Sequence, residues 1–352
     1  MTEVTARWFD AVRRPFARRP PALNLALQGG GAHGAFTWGV LDALLNEPDI
    51  EFEGISGTSA GAMNAVLLAE GWRKDGRDGA RDALAAFWTT MGQTPGLGLL
   101  VQGEGDAISM SSTGKFLMQW AGLFAPAQLN PLDLNPLRDL LNRQIDFDAL
   151  AAHSPFKLFI AATQANSGKV RLFREAELSS DVLLASACLP KIHRAVTIDG
   201  EPYWDGGYSA NPAVYPLFYE CRSRDILLVL LSPLQYDATP RSADEITQRA
   251  LEIAFSANFM REMRMFVHAS EFASQAWLPL GRLERRLLGT RFHMVDIASQ
   301  PTLQRTDTKA LAHGPFLEHL RAQGRACGEA WIETHGAGIG RRTTVDLKRW
   351  FS

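Results

Sequence analysis

Residues 57 to 61 read Gly57-Thr58-Ser59-Ala60-Gly61, a serine held between two glycines in the pattern G-x-S-x-G. Small residues on both sides permit a sharp turn that lifts a hydroxyl above a sheet edge. The backbone N–H groups of a following helix then face any negative charge that develops there. The chemistry this suits is nucleophilic attack. The plainer alternative is an ordinary strand-to-helix turn, which small residues also fit.

A serine nucleophile needs a base. The usual hydrolase order of serine, acid and histidine points to His268, His293, His313, His319 and His335 downstream. None lies in a recognisable motif, and each reads as a surface or satisfied core histidine. One acid does stand at a strand end, in Trp204-Asp205-Gly206-Gly207-Tyr208. Gly206 and Gly207 remove side chains that would block close approach to Asp205. Taken alone, this stretch reads as an Asp-Gly-Gly turn.

A second glycine motif precedes both. LNLALQGGGAHGAFTWGVLDALL, residues 23 to 45, reads as strand, glycine turn and helix. Gly29, Gly31 and Gly34 match G-x-G-x-x-G, the turn that cradles a dinucleotide pyrophosphate. The same N–H groups suit a transient oxyanion equally well. A cofactor site requires an acid at the tip of the second strand, about twenty residues on. Glu51 and Glu53 have that spacing but lie inside the strand, and its tip is the serine turn. The anion is therefore read as the reaction's own.

The elements that must position these residues alternate. Strands are predicted over 23–27, 50–55, 158–163, 170–173, 195–198, 202–204, 226–231 and 292–297. Helices are predicted over 35–45, 60–70, 82–91, from Asn135-Pro136, near 179–187, after Pro240, and around 315–334. Asp199-Gly200 between two short strands is a two-residue hairpin signal. ILLVLL (226–231) is apolar without alternation, as in a strand covered on both faces. The fold class is α/β: a three-layer α/β/α domain with a mostly parallel central sheet, plus a mainly helical C-terminal extension. Residues 92–114, rich in Gly and Ser, read as a long loop suited to a lid or entrance.

Composition sets the wider bounds. The 352 residues are 46% hydrophobic and 21% charged with net charge −2, so nothing electrostatic points to nucleic acid. Cys188, Cys221 and Cys327 are three in number and widely spaced, which signals neither a disulfide framework nor a metal site. No signal peptide or membrane-spanning run is predicted, and the expected location is cytoplasmic, with peripheral contact at a membrane surface as the alternative. Residues 1–21 carry five arginines and read as a basic N-terminal arm; Trp8, Phe9, Val12 and Phe16 also allow it to lie on an anionic membrane. The stripe Phe116, Leu117, Trp120, Leu123 and Phe124 reads as core, or alternatively as an apolar lip for a greasy substrate.

QGGGAHG (28–34), GTSAG (57–61) and DGG (205–207), in this order, resemble the patatin-like phospholipases. The serine turn follows the second strand, too early for the usual α/β-hydrolase order. The resemblance spans roughly residues 22 to 235, which implies a catalytic domain over 22–235 and an extension over 236–352 packed on it. It implies Ser59 as nucleophile and Asp205 as its only side-chain partner, a dyad without histidine or cofactor. Gly29, Gly30 and Gly31 would line an oxyanion hole, and bulk at Gly30 or Gly31 would forfeit on the order of 3 kcal/mol per lost donor. The implied activity is hydrolysis of lipid or other acyl esters. Two alternatives stand: a catalytically silent lipid-binding protein of the same fold, and a dinucleotide-dependent oxidoreductase. The family often carries an acid before the glycines and an arginine two places after them; here Gln28 and His33 take those positions. Acyl chain, head group and oligomeric state are left open.

Overall fold

The structure is a computed structural model and describes residues 22–93, 100–121, 126–130, 134–236, 238–275, 280–295, 297 and 300–352. The expected basic arm, and Leu123 and Phe124 of the apolar stripe, lie outside the described residues.

The chain opens with β1 (Ala22–Leu27), whose ALNLAL sequence is buried almost throughout. Asn24, fully buried within it, donates to the Ser223 and Asp225 carbonyls. The glycine turn leads into α1 (Gly34–Leu45), then β2 (Glu51–Thr58) and α2 (Ala60–Gly92). Two short strands, β3 (Val101–Gln102) and β4 (Ser109–Met110), form a separate antiparallel pair inside the segment expected to be a loop. β5 (Lys157–Gln164), β6 (Val170–Phe173), α3 (Ser180–Ser186), β7 (Val196–Ile198) and β8 (Glu201–Asp205) follow. After α4 (Tyr215–Glu220) come β9 (Asp225–Val229), α5 (Ala243–Ser274), β10 (Arg291–Met294) and α6 (Gly314–His335).

The main sheet runs in the order β10-β9-β1-β2-β5-β8-β7, with β6 also on β5. The neighbours from β10 to β5 pair in parallel. β6 and β8 pair with β5 in antiparallel fashion, as β7 does with β8. This is a mixed, mostly parallel sheet flanked by helices, with a helical C-terminal region. All five residues of β9 are buried: Ile226–Val229 are apolar, and Asp225 is paired with Arg291 and His293. Asp199 and Gly200 both adopt positive φ in the β7–β8 turn, the geometry of a two-residue hairpin.

Several predicted boundaries move, β9 ending at Val229 and β10 at Met294, short of the predicted 231 and 297. β2 continues through Ser56, Gly57 and Thr58, because paired strands on both sides complete its ladder despite the glycine. The two helices predicted at 60–70 and 82–91 are both present, extended until they meet at the non-helical Asp75 and Gly76, with Gly76 at φ +55°.

Every residue of α1 is buried. One covering element is α6 of the C-terminal region. A Cβ on Gly39 would lie 2.0 Å from the Arg321 carbonyl oxygen, and one on Gly324 would lie 1.9 Å from that of Phe36. The two helices therefore touch backbone to backbone. Arg321 and Arg325 from α6 also reach Asp42 of α1, at 3.2 and 3.0 Å.

Candidate active site

Strand register places the ends of β1, β2 and β8 in one row, through two parallel pairings and one antiparallel one. Leu27 of β1 lies beside Gly57 of β2, Thr58 beside Ala161 of β5, and Ala162 beside Asp205 of β8. The glycine turn, Ser59 and Asp205 thus emerge along one sheet edge, although 146 positions separate the last two.

Ser59 has φ +53° and ψ −119°, a left-handed backbone that a serine adopts only when its surroundings compel it. Gly57 and Gly61 allow it, since a Cβ on Gly57 would sit 2.5 Å from the Gly61 oxygen. The Ser59 N–H donates to Ser186 Oγ at 2.9 Å, and that hydroxyl donates to the Ala161 carbonyl at 2.7 Å. Thr58 Oγ1 donates to the Ala210 carbonyl at 2.7 Å. These bonds fix the backbone while leaving the Ser59 side chain to face Asp205. Helix α2 starts at the next residue with no side chain capping it, so its first N–H groups stay open to negative charge.

Asp205 is buried, its carboxylate accepts the Gly207 N–H at 2.7 Å, and the Ser59 hydroxyl is close enough to favour its ionised form. Its own N–H donates to the Cys188 carbonyl at 2.8 Å. Desolvation pushes the carboxyl up to about 7, against the Gly207 N–H and the Ser59 hydroxyl, which favour the ionised form. Gly206 and Gly207 are close-approach positions: a Cβ on the first would lie 2.3 Å from the Ala161 oxygen, and on the second 2.3 Å from the Phe255 ring. Phe255 and Asn258 come from α5, and Asn258 Nδ2 donates to the Tyr208 carbonyl at 2.9 Å.

The glycine turn abuts the serine. A Cβ on Gly29 would meet Ser59 Cβ at 2.9 Å. Gly29 is not an open donor, however: its N–H is given to Asn211 Oδ1 at 2.7 Å. Its part is the missing side chain, and the loop's open N–H groups among the described residues belong to Gly30 and Gly31. Gln28 anchors the start of the turn, accepting from the Leu231 and Ser232 N–H groups and donating to the Asn211 carbonyl. A dinucleotide would need the crevice that Ser59 fills. The acid it would need is also engaged elsewhere, because Glu53 accepts the Arg222 and Ser223 N–H groups.

His33 is fully buried with Nε2 2.7 Å from Thr308 Oγ1. Burial first, and then the Lys309 charge, lower it to about 3, so it is neutral. Three of the downstream histidines have partners other than Ser59: His293 bonds Asp225 and Thr344, His319 bonds Asp106, and His268 sits 3.5 Å from Glu271. Of the apolar stripe, Phe116 and Leu117 are exposed, which corrects the core reading for these two. Among the described residues no set of three His, Cys, Asp or Glu side chains gathers to hold a metal ion, and no helix is long and apolar enough to cross a membrane.

Ser186, Asn211 and Phe255 were not legible as site residues. Each is a common residue type outside any motif, and each reaches the site only through the fold.

A mixed α/β sheet with a serine elbow after its second strand is the patatin architecture. The family model for patatin-like phospholipase matches residues 25–218, more than half of the chain, and the chain belongs to that family of lipid acyl hydrolases. The crystal structure of VipD from Legionella pneumophila shares 15% identity, aligned over 89% of this chain and 67% of that one with a TM-score of 0.37. No curated protein matches the chain.

Proposed function

We propose that the chain is a serine-dependent hydrolase of lipid acyl esters, of phospholipase A or lipase/esterase type. The observation that carries this reading is the contact between the Ser59 hydroxyl and a desolvated Asp205 whose carboxyl is raised to about 7. A carboxylate of that basicity is matched to taking a proton near neutral pH.

Ser59 Oγ attacks the ester carbonyl carbon as its proton passes to Asp205. The tetrahedral oxyanion is met by the Gly30 and Gly31 N–H groups and the start of α2. On collapse, the protonated Asp205 returns the proton to the departing alkoxide, and the acyl group stays on Ser59 as an ester. Water, deprotonated by the same carboxylate, attacks that ester and releases a carboxylic acid and free Ser59. Binding of the lipid is helped by exposed apolar side chains such as Phe116 and Leu117.

The test is turnover of a short-chain p-nitrophenyl ester. Ser59→Ala is expected to abolish it in a folded protein; retained turnover would remove Ser59 as nucleophile. Loss of acyl chains from a mixed lipid extract identifies the preferred ester.

A further inference from the structure

His33 stands where the family often carries an arginine, and the glycine turn is held by contacts to a distant part of the chain. The 3-10 turn Asp307–Ala310, in the C-terminal region, lies directly against it. The Lys309 carbonyl oxygen would be only 2.3 Å from a Cβ on Gly31, so the two backbones are in contact. Thr308 Oγ1 donates to the Arg305 carbonyl at 2.9 Å and lies 2.7 Å from His33 Nε2. With its hydrogen so placed, the Thr308 oxygen is left to accept from His33 Nε2–H.

The same turn reaches the other flank. Lys309 Nζ donates to Ser232 Oγ at 2.9 Å and lies 3.4 Å from Glu252 Oε1. The Ser232 N–H in turn donates to Gln28 Oε1 at 3.0 Å. Glu252 is held by Thr306 Oγ1 at 2.6 Å and by the Tyr236 hydroxyl. Hydrogen bonds therefore tie Gln28, before the glycines, to Lys309 through Ser232, and His33, after them, to Thr308, the residue next to Lys309 in the chain.

We propose that the Asp307–Ala310 turn positions the oxyanion loop, with Thr308 and Lys309 as positioning residues that set the Gly30 and Gly31 amides. An arginine at position 33 would face Lys309 and Arg305 as a like charge, whereas a neutral histidine can donate to Thr308 without that repulsion. The inference rests on the hydrolase reading above, since it assigns the turn a part in stabilising that reaction's oxyanion.

The experiment compares Thr308→Val, Thr308→Ser and Ser232→Ala with the wild type in steady-state ester hydrolysis, with Ser59→Ala in the same series. Thr308→Val keeps the shape and removes the acceptor. Its kcat is expected to fall at least tenfold with KM within twofold, beside a melting temperature lower by a few degrees because the buried His33 Nε2–H and the Arg305 carbonyl lose their partner. The rate of fluorophosphonate labelling, whose phosphonyl oxygen uses the same donors, is expected to fall in parallel. Thr308→Ser should recover kcat to within about twofold of wild type, and Ser232→Ala should lower kcat severalfold. Thr308→Val and Ser232→Ala both at wild-type kcat, beside an inactive Ser59→Ala, would overturn this inference alone. A Ser59→Ala protein that still turns over would overturn the hydrolase reading and this inference with it.

Discussion

The Gly29 N–H donates to Asn211 Oδ1 at 2.7 Å, joining the glycine turn before α1 to the segment just after Asp205. Asn211 is buried and also accepts from Gln28 Nε2 through its carbonyl. The two halves of the candidate site are thus tied by one side chain. Asn211→Ala would leave the Gly29 N–H without its partner, at a cost of about 1–3 kcal/mol. Expected are a melting temperature lower by a few degrees and kcat/KM lower by roughly tenfold or more. Unchanged kinetics would show that this link does not set the loop.

Asp205 gives two pH effects of defined sign. As the base it must be ionised, so kcat/KM should rise with pH to a plateau above about 7, and at pH 5 should be about a hundredfold below that plateau. Because burial lowers His33 to about 3, that group stays neutral across this range and contributes no limb. An acid limb near 4 would contradict the desolvated carboxylate.

Stability should move the opposite way. The folded carboxyl lies above its unfolded value of 3.8, so its favourable contribution is complete below about 4 and is lost as pH rises through about 7. Asp205→Asn keeps an acceptor for the Gly207 N–H and carries no charge. It should therefore be inactive yet melt a few degrees higher than wild type at pH 8, with the advantage gone at pH 4. Thermal melts at the two pH values decide this; equal melting temperatures at pH 8 would count against a buried ionised Asp205.

The contact between α1 and α6 makes a prediction about the fold alone. A methyl at Gly39 would fall 2.0 Å from the Arg321 carbonyl oxygen and 2.6 Å from the Arg325 nitrogen, both backbone atoms that cannot rotate away. Gly39→Ala should cost about 3 kcal/mol, at the upper end of ordinary overpacking, and lower the melting temperature by roughly 5 °C or more. Limited proteolysis should then cut first in the C-terminal region.

Much of the architecture was legible because its causes are local. The apolar run at 226–231, the Asp199-Gly200 hairpin and the strand-turn-helix around GTSAG each carry their own pattern, and all three appear in the sheet. The three motifs also marked the residues that the sheet gathers at one edge. What stayed hidden depends on distant partners. Gly324 looks like any helix glycine until Phe36 is brought against it, nearly 290 positions away. The Asp307–Ala310 turn has no periodicity or motif, and its meaning comes from touching Gly31. Gly29 reads as a donor in the motif, and only the folded position of Asn211 removes that donor.

The most direct test of the central claim is the site of covalent capture. Incubation with a fluorophosphonate followed by peptide mass spectrometry should place one adduct on Ser59, with labelling lost in Ser59→Ala and strongly slowed in Asp205→Asn. Wild-type protein that remains unlabelled, or an adduct at any other residue, would contradict the account.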